Sequence, residues 1–304
     1  MTERFAAPTT IEAALAILAK DDAARPVAGG TDLVVAARQG RAELPVSIVA
    51  IDRIAELGQH AVVDGALVLG SLTAHAWLAD SAEVCATWSA LADASSIVGS
   101  PATRATGTIG GNLMNASPAA ETTAPLVVLN ANVMLRAIGR GSRIVPVAKL
   151  ATAPGRTSAS ADELLTTVII PTPNPGSGSA YIRLEYRRAM EIAIVGAAAL
   201  VTLAADGRIS DARIALTAVA PTVVRAPEAE SALVGATAEP ATFRAAAEAA
   251  AAAAHPIDDV RASADYRRAM LVVVVARTLA AAAARARGES IPVPASRWAP
   301  GQEV

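Results

Sequence analysis

The stretch Pro171–Ser179, PTPNPGSGS, divides this chain in two. Three prolines and two glycines with no charged side chain suit neither a helix interior nor the middle of a sheet. Domain boundaries fall in such stretches. The patterns on its two sides also differ. Before it, helix and strand signals are interleaved. After it, strand-like runs come first and helical runs follow, which is an α+β order. At roughly 150 residues per domain, a chain of 304 residues allows one to two domains.

In the first half, Thr9 and Glu12 have capping-box spacing, and Ile11, Leu15 and Leu18 then share a helix face. Pro26–Ala28 reads as a short strand, followed by Gly29-Gly30-Thr31-Asp32 and a helix start. Val46–Ile51 reads as a buried strand. Asp64-Gly65 joins Ala61–Val63 to Ala66–Leu69 in a hairpin. Thr73 is expected to cap a helix through Leu78, and Val84–Ser96 to continue helical. Gly99–Pro125, with four glycines and three prolines, reads as one long irregular segment, a feature that usually has a function. Val133–Ala137 and Ile144–Val147 form a further hairpin around Gly139–Ser142. Leu164–Ile170 is a strand that Pro171 ends.

In the second half, Tyr181–Tyr186, Ala193–Ala204 and Ala212–Val219 are strand-like, with Asp206-Gly207 as a turn. Helical patterns follow at Glu228–Val234, Ala241–Ala254 and Ala264–Arg287. Their alanine runs are strong helix formers. The tail from Gly288 has no core of its own.

Charge and cysteine content narrow the function. The chain has 26 basic and 28 acidic residues, a balance that gives nucleic acid no electrostatic foothold. One cysteine, Cys85, cannot form an internal disulfide or hold an iron–sulfur cluster. His60, His75 and His255 lack metal-ligand spacing. A cytoplasmic setting is expected, with neither a signal peptide nor a transmembrane segment. Cys85, Trp77 and Trp88 read as core, and His75 as a structural or surface residue. Trp298, in the tail, is free to pack on a partner.

Two glycine segments can carry chemistry. The first is Pro26-Val27-Ala28-Gly29-Gly30-Thr31-Asp32-Leu33. The second is Thr108-Ile109-Gly110-Gly111-Asn112, continuing through Asn115 to Glu121. Glycines let a ligand approach main-chain N–H groups, which suit phosphate. Neither segment has the GxGxxG or Walker A pattern, so neither a Rossmann fold nor a P-loop is supported. Each pair taken alone also reads as a plain tight turn.

PVAGGTDL together with ATGTIGGNLMNASPAAET resembles the two flavin-binding segments of the FAD-binding medium subunit of molybdenum hydroxylases, the group of xanthine and carbon monoxide dehydrogenases. The resemblance covers nearly the whole chain. It implies an α+β protein: residues 1–173 as a two-subdomain FAD-binding domain of the vanillyl-alcohol-oxidase/cell-wall-reductase (PCMH) type, residues 178–288 as a C-terminal domain with a three-stranded antiparallel sheet and a helical bundle, and residues 289–304 as an extended tail.

By resemblance, Pro26 to Leu33 and Thr108 to Asn112 (Thr108, Ile109, Gly110, Gly111, Asn112) hold the FAD diphosphate, and Asn115 faces the cofactor. Glu121 falls near the adenosine ribose, and Leu165 by the adenine or ribose. Arg183 stands where related chains have a lysine near the flavin ring. The run Arg187-Arg188-Ala189-Met190-Glu191-Ile192-Ala193 places Ile192 against the ring. From the residues alone, Ile192 and Leu165 read as core, and Arg187 and Arg188 as solvated charges.

The resemblance further implies an electron-transfer subunit with FAD on this chain. A large partner subunit carries molybdopterin, and a small one carries two [2Fe-2S] clusters, in a dimer of heterotrimers. Electrons leave for NAD, a quinone or oxygen. A self-sufficient FAD oxidase or dehydrogenase of the same fold is an alternative. So is a nucleotide-binding scaffold that assembles through its alanine-rich helices.

Overall fold

The computed structural model describes residues 4–187 and 189–298. It opens with β1 (Arg4–Ala6), α1 (Ile11–Leu18), β2 (Ala24–Val27), α2 (Leu33–Arg38) and β3 (Ser47–Ala50). The strands form a parallel sheet in the order β1-β3-β2, with the helices as crossovers. Thr10, not Thr9, caps α1: its side chain accepts from the Ala13 N–H at 3.2 Å. Ile11, Ala14, Leu15 and Leu18 then face one way and pack with Ala24, Val49, Ile51, Ile54, Leu57 and Leu164. Helix α2 buries no residue.

Next come β4 (His60–Val63), β5 (Ala66–Gly70), α3 (His75–Asp80), α4 (Ala82–Thr87), α5 (Ser89–Ser96), α6 (Pro101–Thr106), α7 (Ile109–Asn115), α8 (Thr123–Val128), β6 (Asn132–Ala137), β7 (Gly141–Pro146), β8 (Ala151–Ala153), β9 (Arg156–Thr157) and β10 (Leu164–Pro171). An antiparallel sheet runs β4-β5-β10-β6-β7. The first hairpin turns through Asp64 and Gly65, both at positive φ (48° and 73°), as a two-residue turn that follows strand twist requires. Period-2 alternation lets β10 serve two cores: Leu164 faces the small N-terminal one and Leu165 the larger one under α5 and α8.

Three expectations for this half are corrected. Thr73 is no cap; its hydroxyl donates to the Gly70 carbonyl at 2.8 Å, and α3 starts at His75. The helix through Val84–Ser96 is broken at Trp88, whose ψ is 47° and whose indole N–H donates to the Pro171 carbonyl at 3.0 Å. Gly99–Pro125 is not one irregular segment: α6 and α7, and the start of α8, lie in it. Ser100 and Thr108 cap α6 and α7 by accepting from the Thr103 and Gly111 N–H groups.

The second half comprises β11 (Ser177–Leu184), β12 (Val195–Leu203), β13 (Ile209–Thr217), β14 (Val224–Arg225), α9 (Pro227–Leu233), α10 (Pro240–Ala252) and α11 (Ala264–Ala286). The sheet is antiparallel in chain order and has a short fourth strand, β14, beyond the three expected. Although no transmembrane segment was expected, α11 is by length and composition long and apolar enough to cross a membrane; half of its most apolar stretch is buried within this protein. It lies on β11 and β12. A methyl group on Gly178 would fall 2.2 Å from the Ala282 carbonyl oxygen and 2.3 Å from the Ala286 nitrogen. Trp298 packs partly on this half's own core.

The halves meet at a buried Asp93. Its carboxylate takes both arms of the Arg285 guanidinium and the N–H groups of Tyr181 and Ala295.

A candidate cofactor site around helix α6

Strand β2 ends at Val27, and the chain turns through Gly29 and Gly30 (φ 66°) into α2. Among the described residues, the amides of Gly29, Gly30, Thr31, Asp32 and Leu33 find no acceptor. Asp32 is exposed and the other four residues are half-buried, and a run of free N–H donors at a turn into a helix suits an anion. The turn is pressed onto the end of α6: a methyl group on Gly29 would fall 2.0 Å from the Thr106 carbonyl oxygen. One on Gly107 would sit 3.4 Å from both Thr31 Oγ1 and His75 Cδ2. The two glycine segments therefore lie side by side at the end of α6.

The second segment spends its amides internally. Ile109 N–H donates to the Thr73 carbonyl at 3.0 Å, Gly110 N–H to Ser71 at 2.9 Å, and Gly111 N–H to Thr108 Oγ1 at 3.0 Å. Its glycines serve close packing, since a methyl on Gly110 would fall 2.6 Å from the Ser71 carbonyl oxygen. The Asn112 side-chain oxygen accepts from Thr122 Oγ1 at 2.6 Å. Gly111 and Asn115 are exposed on α7. Free amide donors are thus concentrated in the first segment, and the second supplies the wall behind it.

Beyond α7, Ala116 takes a left-handed conformation (φ 47°) and the chain descends to Glu121. Glu121 is buried and ion-paired with the Arg183 guanidinium, which also receives Glu185 at 2.6 Å. Burial pushes the Glu121 carboxyl up to about 7, against the pull of Arg183. The Arg183 side chain is 1% exposed, so it acts on its surroundings through the two carboxylates. The resemblance put Glu121 near the ribose and Arg183 near the ring; the ion pair joins the two side chains directly.

The loop after β11 closes over the other end of α6. Met190, at φ 53°, donates its N–H to the Gly99 carbonyl at 3.1 Å. The Thr103 hydroxyl lies 3.8 Å from its sulfur. Arg187 grips Glu191 at 2.9 Å and holds that carboxyl below its usual range. Ile192 is 42% exposed beside them, not core. Arg188 lies outside the described residues. Leu165 is buried in the large core and offers a ligand almost no surface. A cavity of about 140 Å³ lined by Asn130, Asn174, Thr202 and Arg213 lies apart from the glycine segments.

His75, expected to be a structural or surface residue, is the former. It is buried behind Gly107, and loss of hydration pushes its pKa down to about 4, so the imidazole is neutral at pH 7. No local pattern announces it, because its partners come from the other glycine segment. Cys85 is half-buried, its thiol donating to the Ala79 carbonyl at 3.3 Å, and burial pushes its pKa up.

Residues 1–173 match the family described as the FAD binding domain in molybdopterin dehydrogenase, and residues 180–282 the carbon monoxide dehydrogenase flavoprotein C-terminal domain. The chain is 36% identical to the 6-hydroxypseudooxynicotine dehydrogenase complex subunit alpha of Paenarthrobacter nicotinovorans, over 91% of this chain and 93% of that one. It is 32% identical to the carbon monoxide dehydrogenase medium chain of Hydrogenophaga pseudoflava, over 92% and 97%. A solved structure of carbon monoxide dehydrogenase from Hydrogenophaga pseudoflava superposes with a TM-score of 0.88 at 32% identity, covering 94% of this chain and 98% of that one. The chain therefore belongs to the FAD-binding medium subunits of the molybdenum hydroxylases, the oxidoreductase family of the carbon monoxide, xanthine and nicotine dehydrogenases.

Proposed function

We propose that this chain is the flavin relay of a molybdenum hydroxylase with three kinds of subunit. Electrons from [2Fe-2S] clusters of a small subunit leave through FAD for NAD, a quinone or oxygen. A large subunit with molybdopterin oxidises the substrate. The observation that carries this reading is the run of free amides at Gly29–Leu33 beside α6, inside a family-typical FAD domain. The donor set fits FAD: the main-chain N–H groups of Gly29–Leu33 would hold its diphosphate. Pro26, Val27 and Ala28 lead into the turn, while Thr108, Ile109, Gly110, Gly111 and Asn112 build its back wall. Asn115 on α7 and Ile192 on the closing loop have exposed side chains.

Bound flavin supplies the step between single electrons from clusters and electron pairs for an acceptor. The chain's own residues bind, orient and tune. Arg183 fixes the Glu121 and Glu185 carboxylates, and the loop carrying Ile192 restricts access. No residue is assigned as a general base or nucleophile. Purification under native conditions tests the reading. It predicts a yellow preparation accompanied by molybdenum, iron and two further polypeptides, assembled as a dimer of heterotrimers. A folded, colourless chain that refuses added FAD would overturn it.

A further inference from the structure

We propose that Arg267, in the second half of the chain, is a positioning residue for the cofactor site, drawing together the two segments that frame it; this rests on the flavin reading above. Arg267 lies in the first turns of α11 and is 3% exposed. A buried guanidinium is costly unless its donors are used. One arm of this one donates to the Ile194 carbonyl and, at 3.2 Å, to the Ala218 carbonyl; the other meets Asp259 at 2.7 Å; Nε finds no partner among the described residues.

Each carbonyl belongs to a different side of the site. Ile194 N–H donates to the Leu184 carbonyl at 2.9 Å, which pins the base of the loop carrying Met190 and Ile192. Ala218 is held at φ 62°, a conformation that a side chain makes strained. Its N–H donates to the Pro118 carbonyl at 2.8 Å. Thr217 Oγ1 reaches the Ala120 carbonyl at 3.4 Å, next to Glu121. The segment leading into Glu121 thus hangs from Ala218, and Ala218 from Arg267.

Asp259 sets the guanidinium from behind. Its carboxylate accepts from the N–H groups of Arg261 at 2.8 Å and Ala262 at 3.2 Å. The Arg261 carbonyl in turn accepts from the Tyr186 hydroxyl, on the same closing loop. A planar fork holds three acceptors in fixed directions, and the point charge of a lysine does not.

The test uses the full chain, stripped of flavin and titrated with FAD. Arg267→Met is expected to weaken FAD binding at least tenfold and to shift the flavin midpoint potential. Arg267→Lys, which keeps charge without the fork, is expected to recover less than half of that loss. Asp259→Asn, a milder change that leaves the arginine in place, is expected to shift both readings in the same direction. Phe243→Leu, in the core of the second half with no bond to either segment, controls for lost thermal stability and is expected to change neither. The proposal is overturned if wild-type chain binds FAD while the Arg267 and Asp259 variants keep its affinity and potential. It is also overturned if Phe243→Leu shifts both as much at equal stability loss. Wild-type chain that binds no FAD overturns the flavin reading, and this proposal with it.

Discussion

Asp93 and Arg285 come from opposite halves of the chain and close a buried two-armed ion pair at 2.7 and 2.9 Å. Arg285 also donates to the carbonyls of Ser179 and Pro292. One carboxylate therefore binds α5, the start of β11, the end of α11 and the tail to one another. Burial pushes the Asp93 pKa up, and Arg285 with the Tyr181 and Ala295 N–H groups opposes that push.

Asp93→Ala leaves the guanidinium buried and uncompensated. Breaking a buried pair by removing one partner costs about 3–5 kcal/mol. Urea unfolding is expected to show that loss, with the midpoint lowered. A loss under about 1 kcal/mol, the range of an exposed pair, would show that the junction does not rest on this carboxylate.

Gly29→Ala forces a methyl group into the Thr106 carbonyl, 2.0 Å away. Backbone faces backbone there, so no side-chain rotation relieves the clash. Flavin content per chain, read from the visible spectrum, is expected to fall at least tenfold. Gly65→Ala serves as comparison: that glycine is at positive φ (73°), which strains any side chain, but nothing lies within 4 Å of an added methyl. It is expected to lose about 1–2 kcal/mol of stability and no flavin.

How much of this was legible in the sequence differs by element. The hairpin at Asp64-Gly65 and the strand at Leu164–Ile170 were readable because alternation and turn chemistry are local. The helices of Gly99–Pro125 were not. PATRAT and IGGNLMN carry prolines, glycines and threonines of weak helix propensity, and they are helical because their caps and the walls around them make them so. The first glycine segment was readable as a donor loop. That the second spends its amides on Ser71 and Thr73 was not, since those partners lie in another element. The Glu121–Arg183 pair was hidden for the same reason: each was read against a cofactor, and neither against the other.

Glu121→Gln is expected to remove one contribution that makes stability fall as pH rises. The folded-state pKa of about 7 lies above the ordinary value of 4.5. The stability this group contributes is full below about 4.5 and is lost as pH rises through about 7. The slope cannot exceed about 1.4 kcal/mol per pH unit for one group. His75, held down near 4, contributes a rise in stability over much of the same range in both proteins, so between pH 4.5 and 7 the melting temperature of the variant should climb relative to that of the wild type. Parallel curves would refute the assignment.

Tyr181→Phe tests a buried hydroxyl. Among the described residues, the phenol oxygen has no hydrogen-bond partner, and burial pushes its pKa well up. Deleting a hydroxyl that makes no bond removes a desolvation cost. Denaturation should show the variant unchanged or more stable, by up to about 1 kcal/mol. A loss of about 2 kcal/mol or more would reveal a partner for that oxygen.

Helix α11 rests on its sheet with the clearance of a bare glycine, as the contact of Gly178 with Ala282 and Ala286 shows. So close a seat leaves the rod no play. Its two buried arginines, Arg267 near one end and Arg285 near the other, consequently keep a fixed span, like the jaws of a caliper. One jaw grips the junction at Asp93, and the other the carbonyls of Ile194 and Ala218. The chain's abundant alanine is then a machining tolerance, and bulk added along that seat would be felt at both jaws at once.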